Sequence, residues 1–128
     1  NRYGVIHAGW KGLKNTIIKK ALDILQKKGE EIKTLKIYIG PSIRTCCYEV
    51  GEEFLTYFDK KYFDRRDGKL YFDMIAKLND MFLDEGILKK NIEINIYCTG
   101  CSGNFFSYRK QNNNQRIVVG IEKNLLIN

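Results

Sequence analysis

The sequence predicts a mixed α/β domain, with helices packed on a mixed sheet, and two patterns carry that reading. Apolar residues recur every four positions at Leu13, Ile17, Ala21 and Leu25, with Ile18 and Leu22 alongside, which marks one face of a helix. Short stretches with a period of two, Leu35-Lys36-Ile37-Tyr38-Ile39 and the set Ile92, Ile94 and Ile96, read as strands between such helices. With 128 residues the chain is expected to form a single domain, residues 1–128, large enough to bury a core. No repeat or linker divides it.

Taken in order, Tyr3 to Ile6 reads as a first strand. Residues 10–28 follow as an amphipathic helix that Gly29 stops, since glycine takes the left-handed backbone of a helix end without steric cost. The strand at 35–39 closes in a turn at Gly40-Pro41-Ser42, which holds the only proline. A helix is predicted over 52–59, and another through Met74, Leu78, Met81 and Phe82 to a stop at Gly86. The isoleucine strand comes next. After a polar loop at Gln111-Asn112-Asn113-Asn114-Gln115, Ile117 to Ile121 reads as the last strand.

Composition narrows the function classes. Hydrophobic residues make up 44% and charged residues 29%, a balance that excludes disorder. No apolar run approaches the ~20 residues of a membrane-spanning helix, and no signal peptide opens the chain, so a cytoplasmic, membrane-free protein is expected. The opening has no initiator Met and reaches Val5 and Ile6 at once, as a truncated chain would. Lys and Arg number 22 against 15 Asp and Glu, a net charge of +7. Lys11, Lys14, Lys19, Lys20, Lys27 and Lys28 fall in the predicted helix, where they form a solvated face, so nucleic acid is not the expected partner. The remaining charge suits a mouth for an anion such as phosphate.

Three stretches carry reactive groups. His7, the only histidine, ends the first predicted strand, just before Gly9 and a helix start. Strand ends facing helix starts are where open α/β sheets hold ligands. The competing reading is a partly buried imidazole bonded to a carbonyl, because one His cannot make a metal site. The second stretch runs from Gly40 to Gly51 and contains Cys46-Cys47. The third is Cys98-Thr99-Gly100-Cys101, followed by Phe105-Phe106-Ser107-Tyr108-Arg109-Lys110 and Gln115-Arg116. Four cysteines could supply four zinc thiolates. Adjacent cysteines, however, are expected to point apart, which favours cysteines packed in the core or in loops without a metal.

These stretches together resemble the bacterial multicopper polyphenol oxidase, or laccase-domain, family, whose members are regarded as purine nucleoside phosphorylases. The resemblance rests on His7-Ala8-Gly9-Trp10-Lys11-Gly12, Gly40-Pro41-Ser42-Ile43, Cys46-Cys47-Tyr48-Glu49-Val50-Gly51, Cys98-Thr99 and Phe105-Phe106-Ser107-Tyr108-Arg109 with Arg116. It implies part of the laccase-domain fold, with this chain as its C-terminal portion. It also implies phosphorolysis of adenosine, inosine and methylthioadenosine, with adenosine deamination in some members. The cofactor it implies is zinc, with copper as the alternative, held by two histidines and a cysteine. Among those ligands only His7 has a counterpart here, and it is the implied catalytic and metal residue.

For substrate, the resemblance implies Trp10, Lys11, Ser42, Phe106, Ser107, Arg109 and Arg116, with purine nucleoside and phosphate as the small-molecule partners. Cations would hold the phosphate, and aromatic rings would face the departing base. Departures from the family pattern are Lys77-Leu78 in place of Ala-Asn, Lys110 in place of an arginine, and Gln115 in place of a glycine. Two other readings stay open: an inactive, basic nucleotide- or RNA-binding remnant, and a copper polyphenol oxidase. A multicopper site needs many imidazoles, and one histidine offers little toward it.

Overall fold

The structure, a computed structural model, describes residues 2–107 and 117–121. The apolar residues spaced along the first predicted helix do face the core, but from two helices, α1 (Trp10–Lys14) and α2 (Ile17–Lys27). The break lies at Thr16, whose backbone is left-handed (φ 59°, ψ 38°). There the chain folds so closely that a Cβ on Gly12 would sit 3.3 Å from Ile17. Leu13, Ile18 and Leu22 are buried on both sides of the break, so the periodicity survives it. Gly29 (φ +85°) ends the helical stretch as predicted.

Strand β1 (Ile37–Ile39) pairs in parallel with β5 (Ile92–Ile94), Ile37 opposite Ile92 and Ile39 opposite Ile94. A second, antiparallel sheet joins β2 (Glu49–Val50), β4 (Lys69–Phe72) and β3 (Phe63–Arg66) in the spatial order β2-β4-β3. Its β3–β4 hairpin is absent from the sequence reading. The turn is Asp67-Gly68, both with positive φ (49° and 73°), the residue pair that a two-residue hairpin loop favours.

Where a helix was predicted over 52–59, the chain forms a short 3-10 turn at Glu52–Thr56. Phe54 and Phe58 supply the helical spacing, but the Asp59 carboxylate accepts the Lys61 N–H and starts a new turn at Lys60–Tyr62. Helix α3 (Met74–Asp84) agrees with the prediction; the Asp73 carboxylate caps it by accepting the Ala76 N–H at 2.9 Å, and Gly86 (φ +91°) follows it.

Both terminal strands of the sequence reading are corrected. Tyr3 to Ile6 and Ile117 to Ile121 are not strands, and neither has a ladder partner among the described residues. A strand exists only by pairing, so apolar alternation alone does not create one. Val5 and Val118 are left 56% and 91% exposed, a degree that rules out core packing for either.

The core centres on Phe72, which is fully buried. Phe58 stacks on it at 4.7 Å, Phe63 at 5.2 Å, and Phe54 meets it edge-on at 5.7 Å. Among the described residues, no helix is long and apolar enough to cross a membrane.

Candidate metal centre

The parallel pairing does not stop at the ends of β1 and β5. The Asn95 N–H donates to the Ile39 carbonyl at 2.8 Å, Ser42 bridges Cys98, and the Thr99 N–H donates to the Ser42 carbonyl at 3.0 Å. Two loops more than fifty residues apart therefore run side by side at the carboxyl ends of parallel strands, the usual place for an α/β ligand site.

Each loop carries two cysteines, and the structure corrects the expectation that the adjacent pair points apart. The sulfurs of Cys46, Cys47, Cys98 and Cys101 all lie within 4.8 Å of one another, and those of Cys46 and Cys101 are 3.7 Å apart. A single helical turn makes this possible: the Cys47 and Tyr48 N–H groups both donate to the Arg44 carbonyl, at 2.8 and 2.9 Å. On the facing loop the Ser102 N–H donates to the Cys98 carbonyl at 3.0 Å. The four sulfurs form a possible metal-binding site.

The electrostatics differ from thiol to thiol. Burial opposes ionisation of Cys98, yet the Arg44 and Gly100 N–H groups donate to its sulfur at 3.4 and 3.3 Å. With the Cys46 thiol and the Cys101 backbone adding to them, they hold the Cys98 thiol down at about 6. Removal from water pushes Cys46 up to about 12, and hydrogen bonds to Cys98 and Cys101 add to that. Cys47 is raised as well, chiefly by burial. Cys98 is thus prepared as a thiolate beside Cys46 and Cys47, whose environments favour the protonated thiol unless a cation joins them.

The sequence reading gave Arg44, Gly100 and Asn95 no role of their own. The Arg44 guanidinium donates to the Asn95 carbonyl at 2.8 Å, and Arg66 donates to the Thr45 carbonyl at 2.6 Å, so two arginines brace the cysteine turn. Gly100 is required by space, because a Cβ there would stand 2.7 Å from Cys47 Cβ. The readable signal was the C-x-x-C with a glycine inside it; the adjacency of the two strands was not readable.

The predicted site residues are placed unevenly. His7 is exposed, with its ring over Gly9, and joins no group of three or more metal-ligating side chains among the described residues. Trp10 is half-buried, stacked on Tyr57 at 5.8 Å and against Phe54 at 4.9 Å, with the Lys11 ammonium 5.6 Å from its ring. Ser42 lies beside the cysteines, and its hydroxyl and that of Ser102 are buried without a hydrogen-bond partner among the described residues. Phe106 is exposed and Ser107 buried, a few residues beyond Cys101. Arg109 and Arg116 lie outside the described residues, as do Tyr108 and Lys110.

Comparison with known proteins adds the rest. Residues 1–122 match the family described as multi-copper polyphenol oxidoreductase laccase. A purine nucleoside phosphorylase of Aquifex aeolicus is 38% identical over 92% of this chain and 55% of its own length. One of Borreliella burgdorferi is 41% identical over 88% of this chain and 51% of its own. A further relative from an unknown prokaryotic organism, named adenosine deaminase RL5, is 31% identical over 91% of this chain and 48% of its own length. The crystal structure of the Bacillus licheniformis hypothetical protein YfiH superposes with a TM-score of 0.74 at 27% identity, over 83% of this chain and 43% of that one. The chain thus spans about half the length of the relatives it matches.

Proposed function

Because this chain belongs to the multi-copper polyphenol oxidoreductase laccase family, we propose that it is the C-terminal portion of a purine nucleoside phosphorylase. The observation that carries the reading is the meeting of two family-like stretches, Gly40-Pro41-Ser42 and Cys98-Thr99, at the carboxyl ends of β1 and β5. The relatives' names supply the chemistry.

In the proposed reaction, a phosphate oxygen attacks the anomeric carbon. The bond to the purine breaks, and its electron pair leaves with the base, which takes up a proton. Arg109, Arg116 and Lys11 would hold the phosphate, since a guanidinium engages two phosphate oxygens at once. Phe106 and Trp10 would face the purine, and Ser42 and Ser107 would contact the sugar. Adenosine, inosine and methylthioadenosine are the proposed substrates, in the cytoplasm, with adenosine deamination as a side activity. Zinc is the proposed metal, copper the alternative; bound there it would supply Lewis-acid chemistry. His7 offers it one imidazole. The described residues do not make up a three-ligand centre around His7.

The test removes the phosphate cations in a protein that carries this chain together with the remainder of the family fold. Arg109→Ala and Arg116→Ala should each lower phosphorolysis of adenosine about a hundredfold, with the circular dichroism spectrum unchanged. Activity within threefold of wild type in both variants would contradict the assignment. So would an inactive protein that binds RNA with a steep salt dependence, the mark of a nucleic-acid binder.

A further inference from the structure

We propose that Cys46, Cys47, Cys98 and Cys101 bind one zinc ion as a closed tetrathiolate that clamps the loop after β1 to the loop after β5. This site is separate from His7 and does not depend on the phosphorylase reading.

The geometry is the first argument. With zinc–sulfur bonds of about 2.3 Å, the edges of a tetrahedron of sulfurs are about 3.8 Å. Cys46 and Cys101 already stand 3.7 Å apart, and no pair among the four exceeds 4.8 Å. Small side-chain rotations close the rest. A multi-iron cluster needs its thiolates spread further apart, so the spacing selects a single ion.

Backbone design is the second argument. Residues of a helical turn are about 100° apart around its axis, so Cys46 and Cys47 on one turn reach a common point from two sides. The opposing loop is a C-x-x-C whose Gly100 N–H donates back to the Cys98 sulfur, joined there by the Arg44 N–H. Amide donors to a sulfur spread the negative charge of a thiolate ligand. A side chain at Gly100 would fill the space where Cys47 approaches, 3.0 Å from its sulfur.

Donor chemistry is the third. Soft thiolates favour zinc, and four of them leave no open position for water or substrate, which makes the site structural. On binding, the ion replaces the thiol protons, which leave to solvent. A disulfide between Cys46 and Cys101 would engage only two of the four sulfurs. It would leave unexplained the convergence of Cys47 and Cys98.

The test uses a protein that carries this chain together with the remainder of the family fold, with His7→Ala in place to remove the other proposed zinc, purified under reducing conditions with zinc and analysed for metal. One zinc per chain is expected, reduced below a tenth when Cys46→Ser or Cys101→Ser is added. Should the serine variants fail to fold, cobalt replacement in the His7→Ala protein decides. Intense visible bands of tetrahedral cobalt with near-ultraviolet thiolate charge transfer support the site. A His7→Ala protein without stoichiometric metal, zinc kept when Cys101→Ser is added, or a Cys46–Cys101 disulfide in metal-free protein would each overturn it.

Discussion

At the residue scale, Asp80 shows how one carboxylate couples stability to pH. It accepts the Tyr62 hydroxyl at 2.7 Å and the Lys61 ammonium at 3.0 Å. The Tyr62 bond first, then Lys61, hold its carboxyl below the usual range, while Asp80 in turn raises Lys61. A carboxyl depressed on folding contributes fully above its unfolded value, about 3.9, and loses that contribution as pH falls through the lower folded value. Wild type should therefore melt above Asp80→Asn near neutral pH, by the equivalent of about 1 kcal/mol after discount for a side chain 35% exposed. The two melting curves should converge as pH falls below the usual carboxylate range. A constant difference across that range in thermal melting would refute the coupling. The same scale shows what was readable and what was not. Gly29 and Gly86 were legible as helix stops because their role is local, whereas the braces from Arg44 to Asn95 and Arg66 to Thr45 depend on residues brought near only by folding.

At the element scale, the helix from 10 to 28 was legible by its apolar face but not its break. Thr16 is β-branched and sits in left-handed backbone, a conformation that costs such residues roughly 1–2 kcal/mol and that asparagine tolerates better. Thr16→Asn should therefore raise stability by up to about 1 kcal/mol in urea unfolding. A loss of stability would mean that the Thr16 side chain, whose hydroxyl donates to the Asn15 carbonyl at 2.7 Å, contributes more than its backbone costs. The β3–β4 hairpin was missed although Asp67-Gly68 announces its turn, since Phe63-Asp64-Arg65-Arg66 carries one apolar residue and no alternation. Its partner β4 does alternate, with Leu70 and Phe72 buried. The edge strand is defined by its partner.

At the scale of the whole molecule, the motif stretches were legible and their meeting was not. Cys46 and Cys101 are 55 residues apart in sequence, and only the parallel pairing of β1 with β5 brings them together. The exposed apolar side chains of Val5, Ile6, Ile96, Val118 and Ile121 belong to segments read as strands, wholly or at their ends. Among the described residues these segments lack partners, and the chain spans about half the length of its relatives. Product analysis decides whether the proposed phosphorolysis occurs. Adenosine is incubated with a protein carrying this chain and the rest of the family fold, with and without inorganic phosphate, and the products are separated. A phosphorylase releases adenine and ribose 1-phosphate, and only when phosphate is present. Release of inosine and ammonia alone, at a rate indifferent to phosphate, or no release of purine at all, would contradict it.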